Sequence, residues 1–461
     1  MLINKVTSAF GDHSSLLPLF TKDVVNSAGM TAFSYDAGGK IEAKDRCIDE
    51  FGTQAIWLGG LPFFKWGFEK TAYKLAKLAP DVDVRLLKDK EQLGVAQKYA
   101  ETLKNSKIAE TLKHSVEHSK KAQYLFLGKF ATATALTLAS FLTLVKVKQH
   151  YTKKEIEKQF WAKKSEQTFY NNNVAKSPAF KAFVENNKAL QNTSSTPSFK
   201  GLGSALSSFM FDPVKNLFIV DAGITGERLL NSRTKNEFVE TSIKEGGFLF
   251  FLYVAGKYVQ KGIEKISEKL GKPIELHAEV LSSDYIKNNI QSGKAIEDAN
   301  AIKELITQKG LKSKELYEFL YDSKNADNTV VKAAKQSGVI KTIKEGNFWQ
   351  KLFGKAKDTG VIDPHAFINS KDINAMAENV IKLSEKAPKN AEKLEKFLKA
   401  CTHFKIGSVA ANMGISCLFL GLILPYTMIK YREKQQNGNK EFHVQSEIER
   451  QLEHNFKGRI A

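Results

Sequence analysis

Apolar residues in this chain gather into four blocks, separated by charged, Lys-rich stretches with helical spacing. The longest block runs from Ile406 to Ile429, 24 residues without a charge. As a helix it would measure about 36 Å, enough for a hydrocarbon core of about 30 Å. Ala122 to Val145 is interrupted only by Lys129, whose long stem is expected to snorkel its ammonium toward headgroups. Both blocks predict membrane-spanning helices. The other two, Phe51 to Phe64 and Gly246 to Gly256, have a length more typical of re-entrant, interfacial or buried helices. Trp57, Trp66, Tyr253 and Tyr258 suit an interfacial belt around them.

The short blocks carry an internal repeat. Glu50-x-Gly52, fourteen residues, then Gly67-x-Glu69-Lys70-x-x-x-Lys74-Leu75 recurs without a gap as Glu245-x-Gly247, fourteen residues, Gly262-x-Glu264-Lys265-x-x-x-Lys269-Leu270. Seven of the 26 columns are identical, where unrelated stretches would share roughly two. Upstream, Ala28-Gly29-Met30-Thr31 answers Ala222-Gly223-Ile224-Thr225, and downstream each copy leads into one long span. The expected fold class is therefore all-α: a helical integral membrane protein of two homologous halves with Lys-rich extramembrane helices.

The expected organisation is an N-terminal segment 1–22; repeat 1 over 23–150, with block 51–64 and span 122–145; a connecting helix and Ser/Thr/Gly linker over 151–216; repeat 2 over 217–434; and a tail 435–461. Repeat 2 holds block 246–256, a helical insertion at about 275–360, and span 406–429. Thr193-Ser194-Ser195-Thr196-Pro197-Ser198 and Gly201-Leu202-Gly203 mark the linker. Val444, Ile448, Leu452 and Phe456 recur every four residues among charges, so the tail predicts an amphipathic helix seeking a protein partner or the bilayer. Alternating β-branched runs between turn residues are almost absent.

Both spans have small residues at four-residue spacing: Ala131, Ala135 and Ala139 in one; Gly407 with Ala411, Ala410 with Gly414, and Cys417 with Gly421 in the other. In lipid such faces let helix backbones approach closely, so they are candidate packing surfaces. The recurring acids Glu50, Glu245, Glu69 and Glu264 have two readings. They are ordinary helix-end charges, favoured by the macrodipole, or a symmetric set that grips lysines of the other copy.

The surplus of 69 Lys and Arg over 50 Asp and Glu gives +19, which draws a protein to anionic surfaces. No RNP, zinc-finger or helix-turn-helix pattern accompanies it, so anionic lipid headgroups are expected rather than a specific nucleic acid. Cys47, Cys401 and Cys417 are too few and scattered for a disulfide framework or metal site. His114 and His118 are four apart without a further ligand, and Asp363-Pro364-His365 has the composition of a turn. No dinucleotide, phosphate-loop, nucleophile-elbow or kinase signature is present, so no catalytic, cofactor or metal residue is assigned. The long spans offer few ionisable groups, which speaks against an ion-coupled pump.

The N-terminus, Met1-Leu2-Ile3-Asn4-Lys5 followed by Asp12-His13-Ser14-Ser15, has no uninterrupted apolar core. No removable signal is expected, and an integral (plasma or bacterial inner) membrane location follows from the internal spans. Lys and Arg number five before and seven after the first span, and six before and four after the second, within 20 residues. By the positive-inside tendency the stretch 146–405 would be cytoplasmic. The expected role is a membrane scaffold or interaction protein; the alternatives are a transporter or channel with its path between the halves, and a membrane-bound enzyme.

Overall fold

The computed structural model describes residues 2–11, 17–103, 105–170, 213–346, 357–436, 438 and 442–460. Among them the chain is predominantly helical, with one two-stranded antiparallel sheet, β1 (Thr342–Glu345) and β2 (Lys357–Ile362). The Ser/Thr/Gly linker lies outside the described residues. Two helical stretches, Ser119–Lys164 and Ala391–Gln435, are long and apolar enough to cross a membrane.

The chain divides into two compact units. One comprises Met1–Lys22, Leu58–Thr137 and Phe250–Leu418. Its polar part is a packed helical body with fully buried Ile274, Ile286, Ile302, Leu316, Val330, Ile373 and Leu394. Its helices start where side chains satisfy free backbone donors: Asp89 accepts from the Gln92 amide, and Asn328 from those of Val330 and Val331. The insertion extends past the expected boundary at 360, because the Ser370–Lys386 helix packs on Lys294–Lys309, with Lys303 on Glu378 at 2.6 Å. Residues 86–117 belong to the same body. Tyr317 donates to Asp89 at 3.3 Å, and the Tyr99 and Tyr321 rings lie 4.8 Å apart.

The other unit comprises Asp23–Trp57, Leu138–Leu249 and Phe419–Ala461. The Leu17–Ala55 helix is interrupted at Gly39, whose φ of 73° belongs to the left-handed region that glycine enters without Cβ strain. The stretch before Gly39 therefore forms a helix of its own direction. It was not expected from the sequence, because Lys22, Asp23 and Asn26 break its apolar run. Two further helices of this unit are Pro213–Leu230 and Lys235–Leu249. The latter starts at a Thr-x-x-Glu capping pattern, with the Glu237 amide donating to Thr234 Oγ1 at 3.0 Å.

Phe141 and Val145 pack against Val220 and Ile224, with Leu138 and Ile56 alongside. The tail helix, His443–Ile460, covers the chain itself. Val444 and Ile448 pack with Ile41, Ile156 and Phe442, and Phe456 meets Trp161 at 5.8 Å.

π-helical turns occur at Ile56–Gly60 and Phe250–Ala255. Two others lie at Glu69–Tyr73 and Phe419–Ile423.

Candidate functional site: a buried ionic lattice

Charges cluster in the interior of the Asp23–Trp57, Leu138–Leu249 and Phe419–Ala461 unit. The Lys40–Ala55 part of the first long helix presents Glu42, Asp45, Arg46, Asp49 and Glu50 inward, all buried. Their spacing of three and four residues makes one face of a helix. Buried Lys148, Glu240, Lys244, Glu245 and Arg432, and the half-buried Arg228, meet them. The geometry is that of a lattice in which nearly every charge is shared. Arg432 forks onto two carboxylates at once, reaching Glu42 with 2.7 Å contacts from both terminal nitrogens and Glu240 at 2.9 and 3.0 Å. Arg228 reaches Glu245 at 2.6 Å, Asp49 at 3.4 Å and Thr53 at 2.9 Å, and its guanidinium lies over the Phe141 ring. Lys244 pairs with Glu50, with Glu245 at 3.0 Å and with Asp49 at 3.7 Å. Lys148 lies 3.4 Å from Asp49 and 4.0 Å from Asp45, and Arg233 bridges Asp45 at 3.3 Å and Glu237 at 2.6 Å.

Pairing dominates the electrostatics. Burial alone would push the Asp45 carboxyl up, yet Lys148 and Arg233 beside it hold it below the usual carboxylate range. Burial would likewise lower the Arg432 guanidinium, and Glu240 and Glu42 raise it instead. Buried charges of this kind are costly unless paired; the lattice pairs them.

Two small cavities open within this interior. One, of about 10 Å³, is lined by Asp23, Asn26, Glu50, Trp57, Asp221, Arg228, Lys244 and Glu245 among others. The second, of about 20 Å³, lies against Arg46, Asp49, Lys148 and Lys244. Each holds on the order of one water.

The signature residues fall into three groups. Glu50 and Glu245 are buried and lie within helices rather than at their ends, so the helix-end reading is corrected: both converge on Lys244. Gly52 and Gly247 each face a leucine of a long helix, Leu144 and Leu424, so close that a Cβ would sit at 2.8 and 2.7 Å. Glu69 pairs with Lys129 at 2.9 Å, and Glu264 accepts from Gln260 at 2.8 Å. Gly67 and Gly262 have open space where a Cβ would stand, and Lys70 and Lys265 are exposed.

Several expectations change. Lys129 does not snorkel: its ammonium meets Glu69 and stands over the Tyr73 and Phe126 rings. Trp57 is buried and donates to Asp23 at 3.1 Å instead of joining a belt. Ala131, Ala135, Ala139, Gly407, Ala411 and Gly414 lie on exposed faces, so the chain does not bring these small residues together. The packed face of the Ser119–Lys164 helix is that of Phe130, Ala133, Thr137, Phe141 and Val145. Gly421 alone of the proposed set packs closely. A Cβ on Gly29 would overlap its carbonyl, and one on Gly421 would meet Val25 at 2.7 Å.

His365 is a buried staple as well as a turn residue. It contacts Asp81 at 3.2 Å, and Thr111 and the Ile108 carbonyl at 3.0 Å. His114 and His118 stack at 4.5 Å. Cys401 is buried, Cys47 exposed and Cys417 half-buried.

The ionic lattice was missed at the sequence level because charged residues default to the surface. The available signal was the dense run of alternating acids and bases in 42–50 beside an apolar block. No protein-family signature, curated protein or solved structure matches this chain.

Proposed function

We propose that the chain is an integral membrane protein built from two homologous halves, and that it serves as a membrane scaffold or interaction protein. The observation that carries the membrane reading is exposure: only 28% and 22% of the most apolar windows of the two long helices is buried. Helices of a soluble core would bury most of such a stretch. Leu136, Leu142, Ile415, Leu418 and Leu422 face outward, as lipid contact requires.

Ion pairing supports the duplication. The offset that aligns Glu50 with Glu245 also aligns Asp45 with Glu240, and the offset that aligns the spans carries Lys148 onto Arg432. Asp45 pairs with Lys148 and Glu240 with Arg432. The glycine contacts exchange similarly: Gly29 meets the second span at Gly421 and Gly223 meets the first at Leu138, while Gly52 and Gly247 meet the spans of their own copies. Both spans thereby deliver their C-terminal cations to one lattice. That favours parallel halves with the short blocks crossing the bilayer, in place of the topology voted by flanking charge.

The scaffold role rests on closure, since the cavities in the lattice admit nothing larger than water and paired charges fix one arrangement. The net charge of +19 suits anionic headgroups at the exposed surface. A transporter or channel is the second reading. Its support is the same lattice, because buried ionisable groups from helices other than the long spans remove the sequence-level objection. Carbonate and high-salt washing of membranes tests the first step. The protein should stay in the pellet, and release by either wash would overturn it. Solute flux in proteoliposomes separates the two roles: a scaffold gives none.

A further inference from the structure

Building on the membrane reading above, we propose that the outer face of the Gly256–Lys269 helix is a docking surface for an anionic lipid bilayer. Its lysines meet phosphate-bearing headgroups, and the apolar side chains beside them enter the hydrocarbon.

Lys257, Lys261, Lys265 and Lys269 recur every four residues, and all four are exposed. That spacing places them along one side of the helix, in a row about 18 Å long at about 1.5 Å per residue. None of the four has an ion-pair partner among the described residues. Other lysines on the surface of the same unit do: Lys303 meets Glu378 at 2.6 Å, Lys332 meets Asp327 at 2.7 Å and Lys314 meets Glu318 at 3.2 Å. The acids of the helix itself are turned to different partners, Glu264 accepting from Gln260 at 2.8 Å and Glu268 meeting Lys382 at 3.0 Å. The side away from the row holds buried Ser267, and the helix packs on Ala391–Leu418. The row therefore presents its positive charge outward, where it attracts an anionic surface.

Apolar groups on the same face select the kind of anion. Tyr258, Ile266 and Leu270 stand beside the lysines and are 70%, 59% and 56% exposed. The helix continues directly from the Phe250–Ala255 turn, where Phe250 and Val254 are exposed as well. Along the chain the outward groups thus run from apolar, through a tyrosine, to lysines, which is the order a bilayer presents from hydrocarbon through interface to headgroups. The matched stretch of the sequence repeat has the same exposed chemistry, with Phe63, Trp66 and Leu75 alongside Lys70 and Lys74. Nucleic-acid phosphates would satisfy the lysines and give Ile266 and Leu270 no apolar contact. A free phosphate is too small for a row of this length. An anionic bilayer supplies both parts, and each lysine close to such a surface contributes roughly a fivefold preference.

The test uses the purified full chain carrying Tyr258→Trp, in phosphatidylcholine nanodiscs with a small, equal fraction of lipid brominated on its acyl chains, either phosphatidylglycerol or phosphatidylcholine. Bromine quenches tryptophan on contact, and Tyr258→Phe supplies the background from the native tryptophans. Brominated phosphatidylglycerol should quench the reporter as strongly as at least a threefold larger fraction of brominated phosphatidylcholine, and the preference should shrink in high salt. It should vanish when Lys257→Gln, Lys261→Gln, Lys265→Gln and Lys269→Gln are combined. It should persist when the same four become arginine, a variant that keeps the charge and shows that the substituted helix folds. Equal quenching by the two lipids, or a preference unchanged in the folded glutamine variant, overturns the inference. Equal quenching together with binding of a poly-glutamate peptide or an oligonucleotide, lost in the glutamine variant, assigns the row to a protein or nucleic-acid partner instead. Release of the chain by carbonate washing would defeat the membrane reading, and flotation with phosphatidylglycerol against phosphatidylcholine vesicles would then make the same comparison. A chain that stays in the pellet and shows no lipid preference defeats the docking surface alone.

Discussion

At the scale of single residues, the decisive contacts are those in which atoms have no room. A Cβ on Gly29 would enter the Gly421 carbonyl, and neither backbone can move without the helix that carries it. Gly29→Val should therefore destabilise the purified protein by at least the about 1–3 kcal/mol typical of overpacking, read as a lower melting temperature. Gly67→Ala and Gly262→Ala meet open space within helices and should instead gain about 0.5–1 kcal/mol each. The repeat displayed all of these glycines alike, because sequence identity records that a position is shared and not what surrounds it. His365 provides a pH-dependent contact. Burial disfavours its charged form, but the hydrogen bonds with the Asp81 carboxylate and the Ile108 carbonyl outweigh that and raise its pKa above 6.5. A group raised on folding stabilises fully below its unfolded value and loses that contribution as pH rises through the folded one. The melting temperature of the helical body should accordingly fall as pH climbs from about 6.5 through the raised value, a slope flattened in His365→Gln.

At the scale of elements, the long helices were legible and their neighbours were not. An uninterrupted run of 24 uncharged residues is long enough as a helix to cross a bilayer, so Ile406 to Ile429 stands out from the sequence as a long apolar helix. The helix containing Lys22, Asp23 and Asn26 announces nothing, since its polar groups face protein across long sequence distances. Arg432 and Glu42 are 390 residues apart, and no local period encodes their meeting. The tail shows the intermediate case. Its four-residue stripe correctly predicted an amphipathic helix, while the surface it covers, around Ile41, Ile156 and Trp161, could be known only from the fold. The lattice that ties these helices together makes a sharp prediction about Lys244. Lys244→Met leaves Glu50, Glu245 and Asp49 short of a buried counter-charge and should cost about 3–5 kcal/mol. Adding Glu50→Gln should recover part of the loss, and a double-mutant cycle in thermal melts measures the coupling. Strict additivity of the two changes would mean that the pair does not interact.

At the scale of the whole molecule, the pairing of Lys148 with Asp45 and of Arg432 with Glu240 bears on topology. Parallel halves require reporter fusions after residue 165 and before residue 400 to report opposite sides of the membrane. The same side for both would restore the flanking-charge topology and sink the parallel proposal. The approach of Gly29 to Gly421 also sets a timetable. The ribosome makes the first of these residues 392 positions before the second, an interval of roughly 20–80 s at about 5–20 residues per second. For that time the face around Val25 and Gly29 stands without the helix that closes it, and Glu42 without its arginine. On the proposed membrane reading, lipid or insertion machinery would shelter the nascent first half until the last long helix arrives, so the chain's most exposed moment comes during its own synthesis.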